Sequence, residues 1–253
     1  MGGKWGLGFA GVWLMAGWIS AAPLGAEDSF QEALKAVEAK DFNAAMDKFE
    51  AALTADPDNL KYGSEYRQAV IQAKAYDRCI AFFENLVAQH PDAANAYLNY
   101  GFAYVDKIPD AGAITQVINA NTALSYFTRS LELKPSWIGY YTRGNSYLYW
   151  PKIFNRTHLG VADLEEAMKI QQAEGQRSHH VRAYIALGDG HLKMDNPEKA
   201  RQVWSEGLQR FPDSQELKRR LAASSEELAA ILQSTYDPNR RVDTNLKELW
   251  QDQ

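Results

Sequence analysis

The sequence predicts an all-α protein, a solenoid of helix-turn-helix repeats closed by a C-terminal capping helix. Three observations carry that expectation. A small residue, a large apolar residue, a second compact residue and a proline recur at one fixed spacing, first as Ala45, Phe49, Ala52 and Pro57. The next copy, Cys79, Phe83, Leu86 and Pro91, follows 34 residues later, a period in the range of stacked helix pairs. Between the copies, apolar residues recur at helical spacing and not at strand spacing.

The N-terminal element is a leader. Met1 to Lys4 make a short positive start, Trp5 to Ala22 carry no charge, and Pro23 to Ala26 lead into Glu27 and Asp28. This pattern predicts a signal peptide over residues 1–26, cut between Ala26 and Glu27, and export to a periplasm-like compartment. The apolar run also nears the roughly 20 residues that span a bilayer, so an uncleaved anchor holding the domain outside the cytoplasm is the alternative. No cysteine follows the run to accept a lipid, because Cys79 is the only one in the chain. A single cysteine also leaves the fold to packing alone.

Five repeats are expected within 28–214, over about 28–59, 60–93, 94–136, 137–180 and 181–214. Ser29 and Glu32 form a capping-box pattern that would start the first helix. Second helices continue the opening pattern with Ala123, Phe127, Ser130 and Pro135, then Gly160, Leu164 and Ala167 with Gln172 in place of proline, then Ala200, Trp204, Gly207 and Pro212. First helices show Phe30, Ala33 and Val37, Tyr66 and Val70, Tyr97, Tyr100, Gly101 and Tyr104, and Tyr140, Gly144 and Tyr147. Small residues let paired helices approach, large ones fill the space between pairs, and proline ends the second helix. Cys79 holds one of the small positions and reads as a packing residue. Residues 215–233 form one expected helix with Leu217, Leu221, Leu228 and Leu232 on one side, the cap a solenoid needs. The tail over 234–253 carries Arg240, Arg241 and Trp250, which suggests that it docks on its own solenoid or on a partner.

The most regular unit is Val181 to Ser214, with Tyr184, Leu187, Gly188 and His191 on its first helix and Ala200, Trp204 and Gly207 on its second. It closely resembles a tetratricopeptide repeat. The resemblance implies a right-handed α-solenoid whose first helices line a concave groove, and binding of a protein or peptide in place of catalysis. The matching groove positions, taken as the candidate binding site, are Asn95, Asn99, Phe102, Tyr141, Asn145, Tyr149, Arg182, Asp189 and Lys193. Members that clamp a partner's C-terminal carboxylates use a Lys and an Asn one turn apart. Ser64 with Gln68, Leu98 with Phe102, and Tyr141 with Asn145 stand there instead, so that clamp is not expected. An amide and aromatic groove suits peptide backbone.

Departures from the repeat concentrate upstream of that unit. About ten extra residues follow Tyr104, where Pro109, Asp110 and Gly112 mark a turn and Ile114, Val117, Ile118 and Leu124 extend the second helix at its start. This is either an added lobe by the groove or a tolerated insertion. The loop 149–158 sets Trp150, Ile153 and Phe154 beside Lys152 and Arg156, with burial under neighbouring helices expected ahead of a contact surface. Eight of the thirteen tyrosines fall between Tyr97 and Tyr149, most of them at core positions.

A net charge of -5 argues against general nucleic-acid binding, which needs a basic surface. No HExxH, paired CxxC, GxSxG or phosphate-binding glycine loop is present. His179 and His180 are adjacent and would face different ways on a helix, while His191 sits at a core position. No catalytic residue, metal or cofactor is therefore expected. The leading reading is an exported scaffold that binds a protein or peptide in envelope assembly, secretion or maturation of an exported complex. The other is a periplasmic small-ligand binder associated with an uptake system, with the third and fourth repeats and the inserted segment as pocket wall.

Overall fold

The computed structural model describes residues 25–251, and nearly all of the leader expected over 1–26 lies outside them. Helices fill the described residues and no strand occurs among them. Five antiparallel pairs follow one another: α1 (Ala26–Glu38) with α2 (Phe42–Ala55), α3 (Leu60–Ala73) with α4 (Tyr76–Gln89), α5 (Ala94–Lys107) with α6 (Ala113–Leu133), α7 (Trp137–Leu148) with α8 (Thr157–Glu174), and α9 (Val181–Lys193) with α10 (Pro197–Arg210). Then come α11 (Gln215–Ala222), α12 (Ser225–Thr235) and the single turn α13 (Glu248–Gln251). The architecture is an all-α solenoid.

Short polar side chains start these helices by accepting from otherwise unpaired amides. Asp41 accepts from Ala44, Asn59 from Tyr62, Ser136 from Gly139 and Asn196 from Lys199. Turns within pairs run through left-handed residues at Lys40, Lys74 and Asp195. The repeat positions are the core. Phe49, Phe83, Phe127, Leu164 and Trp204 are fully buried, as are Ala45, Cys79, Ala123 and Ala200 one turn before them. Burial also pushes the Cys79 thiol well above its usual range, which keeps it neutral. Glycine is required where first and second helices meet: a Cβ on Gly101 would lie 2.4 Å from the Phe127 ring, and one on Gly188 would lie 2.1 Å from the Trp204 indole nitrogen.

The core is divided. One apolar cluster runs from Phe30 to Ala103 and a second from Trp137 to Tyr236. A smaller third cluster at their junction joins Leu98, Phe102, Phe127 and Trp150 to Leu246. First helices α3 and α5 pack closely and α7 touches α9, but α5 and α7 make no comparable approach. The stack opens there.

Four sequence expectations are corrected. Ser29 is not a cap but a buried residue inside α1, which starts at Ala26 with acidic Glu27 and Asp28 in its first turn. The cap expected as one helix over 215–233 is two, because Ala223 is extended and Ser224 with Glu227 forms a capping box that starts α12. Of the tyrosines assigned to the core, Tyr100 is buried, while Tyr97, Tyr104, Tyr140 and Tyr147 are half-buried. In the loop after α7, Trp150 tucks in beneath Arg156, 3.8 Å above its ring, but Ile153 is 89% exposed. The insertion does lengthen the second helix: α6 has 21 residues against 14 in α2 and α4.

Candidate binding groove

Contacts join α3 to α5 and α7 to α9, and residues of α5, α7 and α9 line one concavity. Residues 236–250 run back across these helices. At one end, Arg67 of α3 is fully buried beneath them, donating to Asn99 Oδ1 (3.0 Å), to Asp106 Oδ2 (2.8 Å) and to the Thr244 carbonyl (3.0 Å). Its guanidinium also stacks over Phe102 at 4.5 Å. The Thr244 hydroxyl donates to Asp106, and the Leu246 amide donates to Ser64 Oγ. Arg241 reaches the Asp106 carbonyl, the Tyr76 hydroxyl and Asp110, each at 2.9 Å. At the other end, Tyr236 donates to Asp189, lies edge-on to Tyr149 and carries Lys193 over its ring. Arg182 pairs with Glu248 at 2.6 Å. The segment thereby bridges both halves of the stack.

The nine candidate residues fall into two sets. Phe102, Tyr141, Asn145, Tyr149 and Arg182 come together around a cavity of about 500 Å³ between α5 and α7. Tyr141 stacks on Trp137 with centroids 5.0 Å apart and planes 5° from parallel. Burial pushes the Tyr149 hydroxyl up to about 12, reinforced by Tyr141 and opposed by Arg240. Burial works against the Arg182 charge, yet Tyr141 and Glu248 hold its pKa above the usual value.

The other four do not face that cavity. Asn95 donates from its amide and side chain to Asp58, and Asn99 is spent on Arg67 and the Leu60 and Asn95 carbonyls. Asp189 is fully buried and takes two bonds from Arg220, at 2.7 and 2.9 Å. Lys193 lies beneath Tyr236, its ammonium pulled below the usual value by burial and opposed by Asp189. Sequence reasoning missed Arg67, Asp106, Trp137 and Arg220. A basic residue on a first helix in register with an acidic one on the next was the available signal for the first two.

The histidine expectation needs one correction. His179 and His180 do not diverge, because they sit in a 3-10 turn and both pack on Trp137, at 4.9 and 5.3 Å. Among the described residues no group of three or more His, Cys, Asp or Glu side chains is placed to hold a metal ion. Among them, too, no helix is long and apolar enough to cross a membrane.

Residues 36–98 and 181–224 match family models described as tetratricopeptide repeat. Over 210 residues, 81% of its length, the chain is 23% identical to the human protein O-mannosyl-transferase TMTC3, of which it spans only 21%. Similar solved structures include TTC0263, a thermophilic TPR protein of Thermus thermophilus, at TM-score 0.55 and 18% identity over 78% of this chain and 97% of that one. They also include the MamA protein, at TM-score 0.51 and 17% identity over 79% and 97%. The 41-end form of MamA from Desulfovibrio magneticus gives TM-score 0.51 and 14% identity over 75% and 97%. At these identities the likeness is one of fold.

Proposed function

Because the chain is built of tetratricopeptide repeats, we propose that it is a non-catalytic scaffold whose inner groove receives an extended segment of a partner protein. One observation carries this reading: residues 236–250 already lie across the first helices as such a segment would. Main-chain groups of Thr244 and Leu246 are read by Arg67 and Ser64, a hydroxyl and a guanidinium by Asp106 and Asp110, and an apolar side chain by Leu98 and Phe102. Backbone bonds supply affinity and side-chain contacts supply selectivity, the division of labour usual in recognition of extended peptides. A partner's segment would compete for the same groups. The leader pattern over 1–26 supports the finer reading, action outside the cytoplasm in envelope assembly, secretion or maturation of an exported complex.

The test uses the full chain carrying Arg241→Glu and Leu246→Asp, which frees its own segment. A fluorescent synthetic peptide of residues 236–251 should bind this variant saturably and bind the unaltered chain weakly. A folded variant that gives no anisotropy change refutes the groove. The compartment is checked separately by fusing residues 1–30 to a reporter active only after export, and an inactive fusion rules export out.

A further inference from the structure

We propose that the cavity between α5 and α7 is a binding site for an uncharged, predominantly apolar small molecule. It goes beyond the peptide groove and concerns the chain with its own segment docked, because Tyr236, Val242, Leu246 and Glu248 of that segment line the cavity. Native interiors hold few voids larger than a water molecule, and the roughly 500 Å³ here falls within the range of small-ligand pockets. Empty, its apolar walls would forfeit the dispersion contacts that a ligand supplies.

The walls define the occupant. The Trp137–Tyr141 stack forms one side, Trp150 and Phe154 another, with Phe102 and Ile185 between them. Flat aromatic faces suit a planar or apolar body. Of the four charged residues on the lining, Arg182 and Glu248 neutralise one another at 2.6 Å, so an ionic ligand would have to break that pair. Arg240 donates to Ser234, and Asp243 accepts from the Asn245 amide. Asn145 supplies one polar anchor. Its side chain lines the cavity and makes no hydrogen bond to any described residue, leaving an amide acceptor and two donors for a ligand.

An apolar path leads in. Val117 and Phe154 line the cavity and are also 44% and 49% exposed, and Ile114 and Ile118 extend the same face of α6 outward. Exposed apolar surface beside a concavity is a usual mark of a binding mouth. The two departures from the repeat pattern, the lengthened α6 and the loop after α7, thus form the two lips of one site.

The experiment titrates the full chain with N-phenyl-1-naphthylamine, a neutral apolar fluorophore. Saturable one-site binding with a rise in fluorescence is expected, and the probe should raise the melting temperature. Ala120→Trp on α6 and Ile185→Phe on α9 fill the cavity from two different helices, and each should weaken binding at least about tenfold. Asn145→Ala should weaken it by about threefold, the loss of one hydrogen bond. Circular dichroism establishes that each variant is folded, and two filling positions guard against failure of one. Leu159→Ser, 42% exposed on α8 and outside the lining, should leave affinity unchanged, and Ile114→Ser at the mouth should weaken it far less than the filling variants. The proposal is overturned by non-saturable binding, or by folded filling variants that bind normally. It is equally overturned if Ile114→Ser abolishes binding, which would make the site an exposed patch for a partner's apolar segment. Preference for the anionic 8-anilinonaphthalene-1-sulfonate over the neutral probe would refute the ligand's charge class.

Discussion

Replacing Arg67 by methionine tests whether the buried charge network holds residues 236–250 in the groove. The guanidinium has no exposure, and Asp106, 3% exposed, has no other cation within ion-pair distance among the described residues. Removing it leaves a buried carboxylate with the Thr244 hydroxyl as its remaining side-chain donor, and breaking such a pair costs about 3–5 kcal/mol. At roughly 2–4 °C per kcal/mol for a domain of this size, the melting temperature should fall by about 6–20 °C. Much of the loss belongs to the stranded partner, so Arg67→Met with Asp106→Leu should cost less than the two single changes summed, by about 2–3 kcal/mol. Thermal melts by circular dichroism measure the cycle, and trypsin cleavage after Arg240 and Arg241 reports release of the segment. A single variant melting within about 2 °C of the unaltered chain, or strict additivity of the pair, refutes the reasoning. Unchanged protection from trypsin refutes the link to the segment.

Two further outcomes follow from packing and protonation. Gly188→Ala should destabilise by about 1–3 kcal/mol in urea titration, because its Cβ would lie 2.1 Å from a fully buried indole; an unchanged midpoint would show the α9–α10 register to be wrong. Burial, with His179 and Arg177 nearby, holds His180 down to about 4, below the roughly 6.5 of an unfolded chain. The unfolded chain therefore takes the proton first. The contribution is complete above about pH 6.5 and is lost as pH falls toward 4, by about 1–2 kcal/mol after allowance for solvent screening. His180→Gln should flatten the pH dependence of the urea midpoint across that window, and parallel curves for both proteins would sink the idea.

The stacked pairs were legible because their determinants are local. Ala45, Phe49 and Ala52 announce a helix and its buried face within two turns, and Phe127 and Trp204 repeat the message. The site was half legible. The resemblance to tetratricopeptide arrays put Phe102, Tyr141, Asn145, Tyr149 and Arg182 at groove positions, and they do line one cavity. Asn99 and Asp189 were put at such positions too but do not share that role. Each is satisfied by an arginine from another element, Arg67 or Arg220, whose reach no spacing rule records. Residues 236–250 have no periodicity to align against the groove. Their docking was suggested by Trp250 and the two arginines, and their course could not be read from them.

That course bears on the order of folding. Arg67 and Thr244 are 177 residues apart and Ser64 and Leu246 are 182 apart, whereas bonds within the stack join neighbouring pairs. A solenoid can nucleate at any repeat and propagate through local contacts, while pairings of high sequence separation form late. The segment also needs both halves of the stack in place before its ends have anything to hold. By that order, the helices assemble first, and Arg67 and Asp106 stand open to water until the segment docks. A partner present at that moment meets a vacant groove with no competitor to displace, so the timing of its encounter, as well as its affinity, decides which segment the chain keeps.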